Sequence, residues 1–324
     1  MKLPILKTLF LSAGMLVATT AASLAEKGSL VVYNPPGAVG DALIAKFKTL
    51  HPGIDVQSVA GGVGELFTRM AAEAANPRGD VIICASTEAV LAQPELLQAY
   101  DSKEKANFPA EAIVDNGLAY GCSLALQAFV VNTKLLDEAA MPKSWKDLAD
   151  PRFAEKLTLA NPSTSGSAYA QLAQMLQLYG WDYVNKVMDN ASIVTASEAV
   201  FTDVARGEKQ IGVSNESNIQ RIIEQGNPVR IVYPSEGTAF RYDASALVRG
   251  GPNPENAKLF LDFLNSKQGH EILAQFKRRS VRPDVDAPAG LTPTAKIVTF
   301  PYDVKKASSE RNAYLAKWET IFNQ

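Results

Sequence analysis

Histidine is nearly absent from this chain, with 2 in 324 residues. His51 precedes Pro52 at a helix end and His270 falls in a polar helical stretch. Neither has a second ligand at metal-binding spacing, so a histidine-built metal centre or general base has no local support. Cysteine is as scarce: Cys84 and Cys122 stand alone, with no C-x-x-C to indicate redox chemistry. A basic excess is missing too. Lys and Arg number 32 against 34 Asp and Glu, for a net charge of -2, whereas a surface that tracks nucleic-acid phosphates needs a clear positive balance. There is no G-x-S-x-G, no P-loop and no dinucleotide fingerprint. Gly62-Val63-Gly64 resembles only the start of the last, and Ser102-Lys103-Glu104-Lys105 is a bare S-x-x-K in a charged stretch. No catalytic residue and no cofactor is expected, and a secreted hydrolase remains only as an alternative.

Long apolar runs are also lacking, except near the start. Residues 1–25 have basic Lys2 and Lys7, an apolar run from about Leu9 to Ala22, and small Ser23 and Ala25. That pattern is a secretory signal peptide cut after Ala25, and the run is too short for a comfortable membrane span. Position 26 is Glu rather than Cys, which argues against a lipid anchor. The expectation is an exported, periplasmic protein that does not span the membrane. In an oxidising compartment Cys84 and Cys122 can pair, yet each sits in a strand-like run where a free thiol packs equally well.

What is present is α/β alternation, and 47% hydrophobic residues are ample for real cores. Ser29 to Tyr33 reads as a strand, Val39 to Leu50 as a helix, Ile54 to Ala60 as a strand, Glu65 to Ala75 as a helix and Asp80 to Ala85 as a buried strand. A mostly parallel sheet with helices on both faces is expected. From Ala119 to Lys134 the chain is one extended apolar run without a turn signal, which marks a crossover between domains. Alternation then restarts: Leu157 to Ala160, a helix to Tyr179, a helical Asp182 to Asp189, and further strands at Ser192, Gln210 and Val229. The Gly-containing connection Ser235 to Tyr242 is a second crossover, and a helix from about Tyr302 to Phe322 closes the chain.

Polar, small-residue turns fall at the carboxyl ends of these strands: Asn34 to Gly40, Gly61 to Gly64, Ser86-Thr87, Ser163 to Ser167, Thr195 to Ser197 and Asn215 to Ser217. In open α/β sheets ligands bind outside those ends, so the turns can line one cleft. Ser163 to Ser167 also opens a helix, whose first N–H groups and macrodipole favour an anion, although an ordinary Ser163 or Ser165 cap has the same appearance.

The order of features resembles the type II periplasmic solute-binding proteins of ABC importers, in the branch that binds ferric ion, sugar phosphates or phosphonates. The resemblance rests on Val31-Val32-Tyr33 with the helix to His51-Pro52-Gly53, Asp80-Val81-Ile82, Val131-Asn132-Thr133-Lys134, Pro142 to Leu148, Asn161 to Gly166, Asn253 to Leu264 and Arg279 to Val285. It implies two α/β lobes joined by two crossovers, with the ligand between them: residues 26–124 and 240–300 in lobe 1, and 125–239 and 301–324 in lobe 2. Partners would be a small anionic solute and a cognate permease with its ATPase, with the receptor a monomer. Ferric binders of this branch carry adjacent tyrosines near the position of Ser214 to Asn218, and this chain has no adjacent tyrosines. An iron reading must therefore use Tyr33, Tyr169 and Tyr242. The organic-anion reading seats the anion on Ser165, Gly166 and Ser167. Asn215, Glu216 and Glu236 then accept from hydroxyls or an amine, and Arg241, Tyr242, Tyr33, Asn34, Gly62, Ser86 and Thr87 are further candidates. Glu216 as a helix-start acid, Glu236 with Arg241 as a solvated pair, and Tyr33 and Tyr242 as core or hinge packing are the alternatives.

Overall fold

The computed structural model describes residues 27–35 and 37–322. The leader expected at 1–25 lies outside them. In chain order the elements are β1 (Gly28–Asn34), α1 (Ala38–Leu50), β2 (Ile54–Ala60), α2 (Val63–Ala72), β3 (Val81–Ser86), α3 (Thr87–Ala92), β4 (Leu97–Gln98), β5 (Ile113–Val114), β6 (Ala119–Leu124), β7 (Gln127–Asn132) and β8 (Leu157–Ala160). After these come α4 (Gly166–Asn190), β9 (Ala191–Val194), α5 (Ser197–Arg206), β10 (Ile211–Asn215), α6 (Glu216–Glu224), β11 (Val229–Val232), β12 (Thr238–Ala239) and β13 (Tyr242–Val248). The chain ends with α7 (Pro254–Asn265), α8 (Lys267–Gln275), β14 (Arg279–Ser280), β15 (Thr299–Phe300), α9 (Val304–Ser309) and α10 (Arg311–Phe322).

Two larger sheets result. The first runs β14-β6-β13-β3-β1-β2, with β4 on β13 and β5 on β6, and the second runs β11-β7-β10-β8-β9. Period-two alternation puts a core on each face of the first. Leu30, Val32, Val81 and Ile83 pack with Phe47, Phe260 and Phe263, while Tyr33, Ile82 and Ala85 pack with Phe67 and Ala89. The second sheet does the same, with Phe129 and Val131 against Trp145 and Trp318 on one face and Ala128 and Val130 against Phe201 and Ile219 on the other. A buried Phe contributes about 1.5–3 kcal/mol over an exposed one, so these paired cores dominate stability.

The sheets are mixed rather than mostly parallel. β1 is parallel to β2 and β3, but β13 is antiparallel to β3 and β6, and β7 is antiparallel to β10 and β11. The antiparallel members are the strands that enter and leave the crossovers, where no helical βαβ return imposes a parallel direction. The apolar run from Ala119 is β6 and β7, which lie in different sheets and are joined through Ala125 and Leu126.

The second crossing, through β12 into β13, lies against the first: the Ala125 N–H donates to the Arg241 carbonyl at 3.0 Å. β15 pairs in parallel with β12, so a third passage of chain runs through the same pivot. The closing helix breaks at Glu310 into α9, which packs on α3, and α10, which carries Trp318 into the second core. Gly180, at φ 74°, kinks α4 where the sequence pattern breaks. Cys84 and Cys122 are disulfide-bonded, with Cα atoms 5.8 Å apart. They tie β3 to β6 across β13, whose register shifts at that level. Among the described residues no helix is long and apolar enough to cross a membrane.

Candidate ligand-binding site

The start of α4 is built by the preceding turn. The Asn161 carbonyl accepts the N–H groups of Thr164 and Ser165 at 3.3 and 3.0 Å, and its side chain accepts the Ser163 N–H at 2.8 Å. Ser165 then caps the helix, its Oγ taking the Ala168 N–H at 3.2 Å, and its carbonyl takes the Tyr169 N–H. The Gly166 and Ser167 amides are left with no acceptor among the described residues. Two open donors at the positive end of α4, whose first segment runs from Gly166 to the kink at Gly180, make a place for an oxyanion.

The other lobe supplies a third donor. A Cβ on Gly166 would lie 2.9 Å from the Oγ of Ser86, at the carboxyl end of β3. Ser86 is buried, and its hydroxyl has no partner. An unpaired buried hydroxyl costs about 1–3 kcal/mol, a debt that an acceptor beside Gly166 would cancel. Here the two lobes touch. The Gly64 N–H points to the Thr164 carbonyl at 3.3 Å, and a Cβ on Gly62 or Gly64 would come within 2.2 Å of the Thr164 oxygen or 2.1 Å of the Ser163 oxygen. Glycine is thus required on one side of the seam for backbone to meet backbone.

Behind the seam the candidate Asn215 belongs to a buried amide network whose glutamines the sequence did not mark. Gln127 donates to Asn215 Oδ1 at 2.5 Å. Gln171 donates to Gln127 Oε1 at 2.8 Å and to the Val213 carbonyl at 3.2 Å. Gln174 accepts the Ala239 N–H at 3.0 Å. These glutamines lie inside helical and strand stretches, where only their polarity on an apolar face gave a signal.

The remaining expected residues are placed as follows. Thr87 donates to the Tyr242 carbonyl at 2.5 Å, so both stand at the pivot beside Ser86. Tyr242 is half-buried against Phe240, and burial, with Glu111 second, pushes its hydroxyl up to about 12. Asn34, at the end of β1, donates to Asp41 at 2.9 Å, and its Oδ1 is buried without a partner over Gly40. Arg241 is buried on Glu88 and Asp243 at 3.4 and 3.1 Å.

Three residues use their polar ends within the protein. Tyr33 donates to Glu73, and burial followed by that carboxylate raises its pKa well above the usual range. Glu216 holds Arg279 and accepts from Tyr233. Glu236 accepts the Trp145 and Lys146 N–H groups and the Tyr179 hydroxyl at 3.0, 3.2 and 2.6 Å. Burial works to raise the Glu236 pKa, and the bonds from Tyr179 and the amides outweigh it and hold it below the ordinary value. Tyr33, Tyr169 and Tyr242 belong to three separate apolar clusters.

Two mixed α/β sheets, a pivot of adjacent chain crossings and an oxyanion-ready helix start facing the opposite lobe define a two-lobed solute receptor. The chain belongs to the bacterial extracellular solute-binding proteins, whose family pattern it matches over residues 30–276. Among its relatives is a putative 2-aminoethylphosphonate-binding periplasmic protein of Salmonella typhimurium, 30% identical over 73% of this chain and 72% of the relative. A periplasmic binding protein of Actinobacillus pleuropneumoniae solved with fructose-6-phosphate superposes with a TM-score of 0.85 at 28% identity, covering 91% of this chain and 98% of that one. Iron-bound HitA of Pseudomonas aeruginosa shares the fold, with a TM-score of 0.80 at 24% identity over 90% and 99% of the two chains.

Proposed function

We propose that this protein captures a small organic phosphate or phosphonate between its lobes and delivers it to an ABC permease and its ATPase. The observation that carries the reading is the juxtaposition of the unpaired Gly166 and Ser167 amides with the unpaired, buried Ser86 hydroxyl of the opposite lobe. An oxyanion there is bound from both sides, so its binding energy goes into closure, the state a permease can distinguish. We assign lobe 1 to residues 26–124 and 240–300 and lobe 2 to 125–239 and 301–324. The receptor acts as a periplasmic monomer after cleavage behind Ala25. Relatives named for a phosphonate and solved with a sugar phosphate support the ligand class.

Iron is the second reading, favoured by the fold shared with an iron-bound protein. Against it, Tyr33, Tyr169 and Tyr242 lie in three separate apolar clusters, and Tyr33 and Tyr169 spend their hydroxyls on Glu73 and the Ala307 carbonyl, so no set of phenolates converges on one ion. Titration calorimetry with fructose 6-phosphate, 2-aminoethylphosphonate and inorganic phosphate is the test. Binding of one organic probe that Ser86→Ala and the Ser165→Ala/Ser167→Ala pair each weaken at least tenfold is expected. A visible tyrosinate-to-iron band on adding ferric ion, with no phosphate or phosphonate bound, would overturn the reading.

A further inference from the structure

Around Glu88 and Tyr169 lies a second set of unsatisfied donors. Arg241 is 3% exposed. Its Nη1 contacts Glu88 and Asp243, while its Nε and Nη2 are buried with no partner. Arg311, the first residue of α10, is 6% exposed, and its Nε and Nη2 are likewise unpartnered. Its guanidinium lies over the Tyr169 ring at 5.0 Å, three residues along α4 from Gly166. Both guanidinium groups interact with Glu88, two residues from Ser86. Tyr302 closes the cluster by donating to the other Glu88 oxygen at 2.9 Å.

Charge and hydrogen bonding point the same way. Arg241, Arg278 and Arg311 face two carboxylates, Glu88 and Asp243, with Arg278 on Asp243 at 3.1 Å. Nε and Nη2 of both Arg241 and Arg311, four guanidinium nitrogens, are left lacking acceptors. Buried charged donors without partners are among the costliest groups a fold can carry, and a planar guanidinium fork matches a two-oxygen anion.

We propose that Arg241 and Arg311 form a second seat in the same cleft, for a carboxylate or comparable monoanionic oxyanion carried by the solute whose phosphoryl group binds at Gly166. The receptor then prefers doubly anionic solutes, and the C-terminal helix α10 reads the second anion. This rests on the phosphoryl seat proposed above.

The test uses glycerol 3-phosphate and 3-phosphoglycerate, which differ by a carboxylate in place of a hydroxymethyl group, with inorganic phosphate as the minimal probe. The full mature chain should bind 3-phosphoglycerate at least tenfold more tightly than glycerol 3-phosphate. Arg311→Gln should abolish that difference and leave glycerol 3-phosphate affinity unchanged. The ligand-free melting temperature of Arg311→Gln should fall only slightly, because Nε and Nη2 had no acceptors and only the contact with the Tyr169 ring and the attraction to Glu88 are lost, and Arg311→Lys should restore part of the preference. Equal affinities for the two esters overturn the second seat alone, as does a preference that survives in Arg311→Gln. A markedly lower melting temperature in Arg311→Gln with the preference intact makes Arg311 structural. If no phosphoryl probe binds, the first seat fails and the second with it.

Discussion

Arg279 of β14 holds Glu216 at the start of α6 with two bonds, Nε to Oε1 at 2.5 Å and Nη2 to Oε2 at 3.0 Å, and so joins the two sheets at the pivot. Arg279 pairs in register with Leu124, while the Glu216 N–H donates to the Leu126 carbonyl, so the ion pair brackets the first crossover. Both side chains are almost wholly buried.

Breaking a buried pair from one side leaves an uncompensated charge, which costs about 3–5 kcal/mol, whereas replacing both partners with apolar groups is often neutral. Arg279→Met and Glu216→Met should each lower the unfolding free energy by an amount of that order, and the double variant should recover most of the loss. Urea unfolding of the four proteins measures it. A double variant at least as unstable as the sum of the singles would mean that the pair contributes geometry that apolar packing cannot replace.

This pair also shows which part of the site could be read from sequence. The cap at Ser165 and the open amides after it follow from local spacing, so Ser163 to Ser167 could be picked out as a helix start suited to an anion. The run from Ala119 could be seen to change sheets because it lacks any turn signal. A carboxylate in a small-residue turn, by contrast, looks the same whether it meets a ligand or a distant partner. Glu216 finds Arg279 across 63 residues, and Glu236 caps Trp145 across 91. Arg311 has no local signature at all, because its setting depends on how α10 folds back along α4.

His270 supplies a prediction in pH. It is fully buried, bonds Ser280 Oγ through Nδ1 at 2.8 Å, and stacks edge-on to Phe108. Burial, with Arg282 adding repulsion against a weaker opposing pull from Asp284, lowers its pKa from 6.5 to about 3. The unfolded chain therefore binds a proton that the folded chain refuses between those values. Stability from this residue is complete above pH 6.5, falls by about 1.4 kcal/mol per unit below it, and stops falling near pH 3. From pH 7 to pH 5 the loss should be about 2 kcal/mol, and His270→Gln should flatten that window. An unchanged slope in the variant would assign the acid sensitivity to other groups.

The seam glycines separate folding from closure. Gly64 lies in the first turn of α2 with a negative φ, so alanine there suits the helix and should stabilise the open lobe by about 0.5–1 kcal/mol. With the lobes in contact as they are here, the same methyl carbon would stand 2.1 Å from the Ser163 carbonyl oxygen, which belongs to backbone and cannot swing aside. Gly64→Ala should therefore keep or raise the melting temperature of the free protein while weakening solute binding more than tenfold. Small-angle scattering should then find a larger radius of gyration at saturating solute than for the parent protein. Weaker binding with a lower melting temperature would instead report damage to α2. Unchanged affinity would mean that the lobes close on solute without the contact between Gly64 and Thr164, and that the anion is held mainly by the α4 side of the cleft.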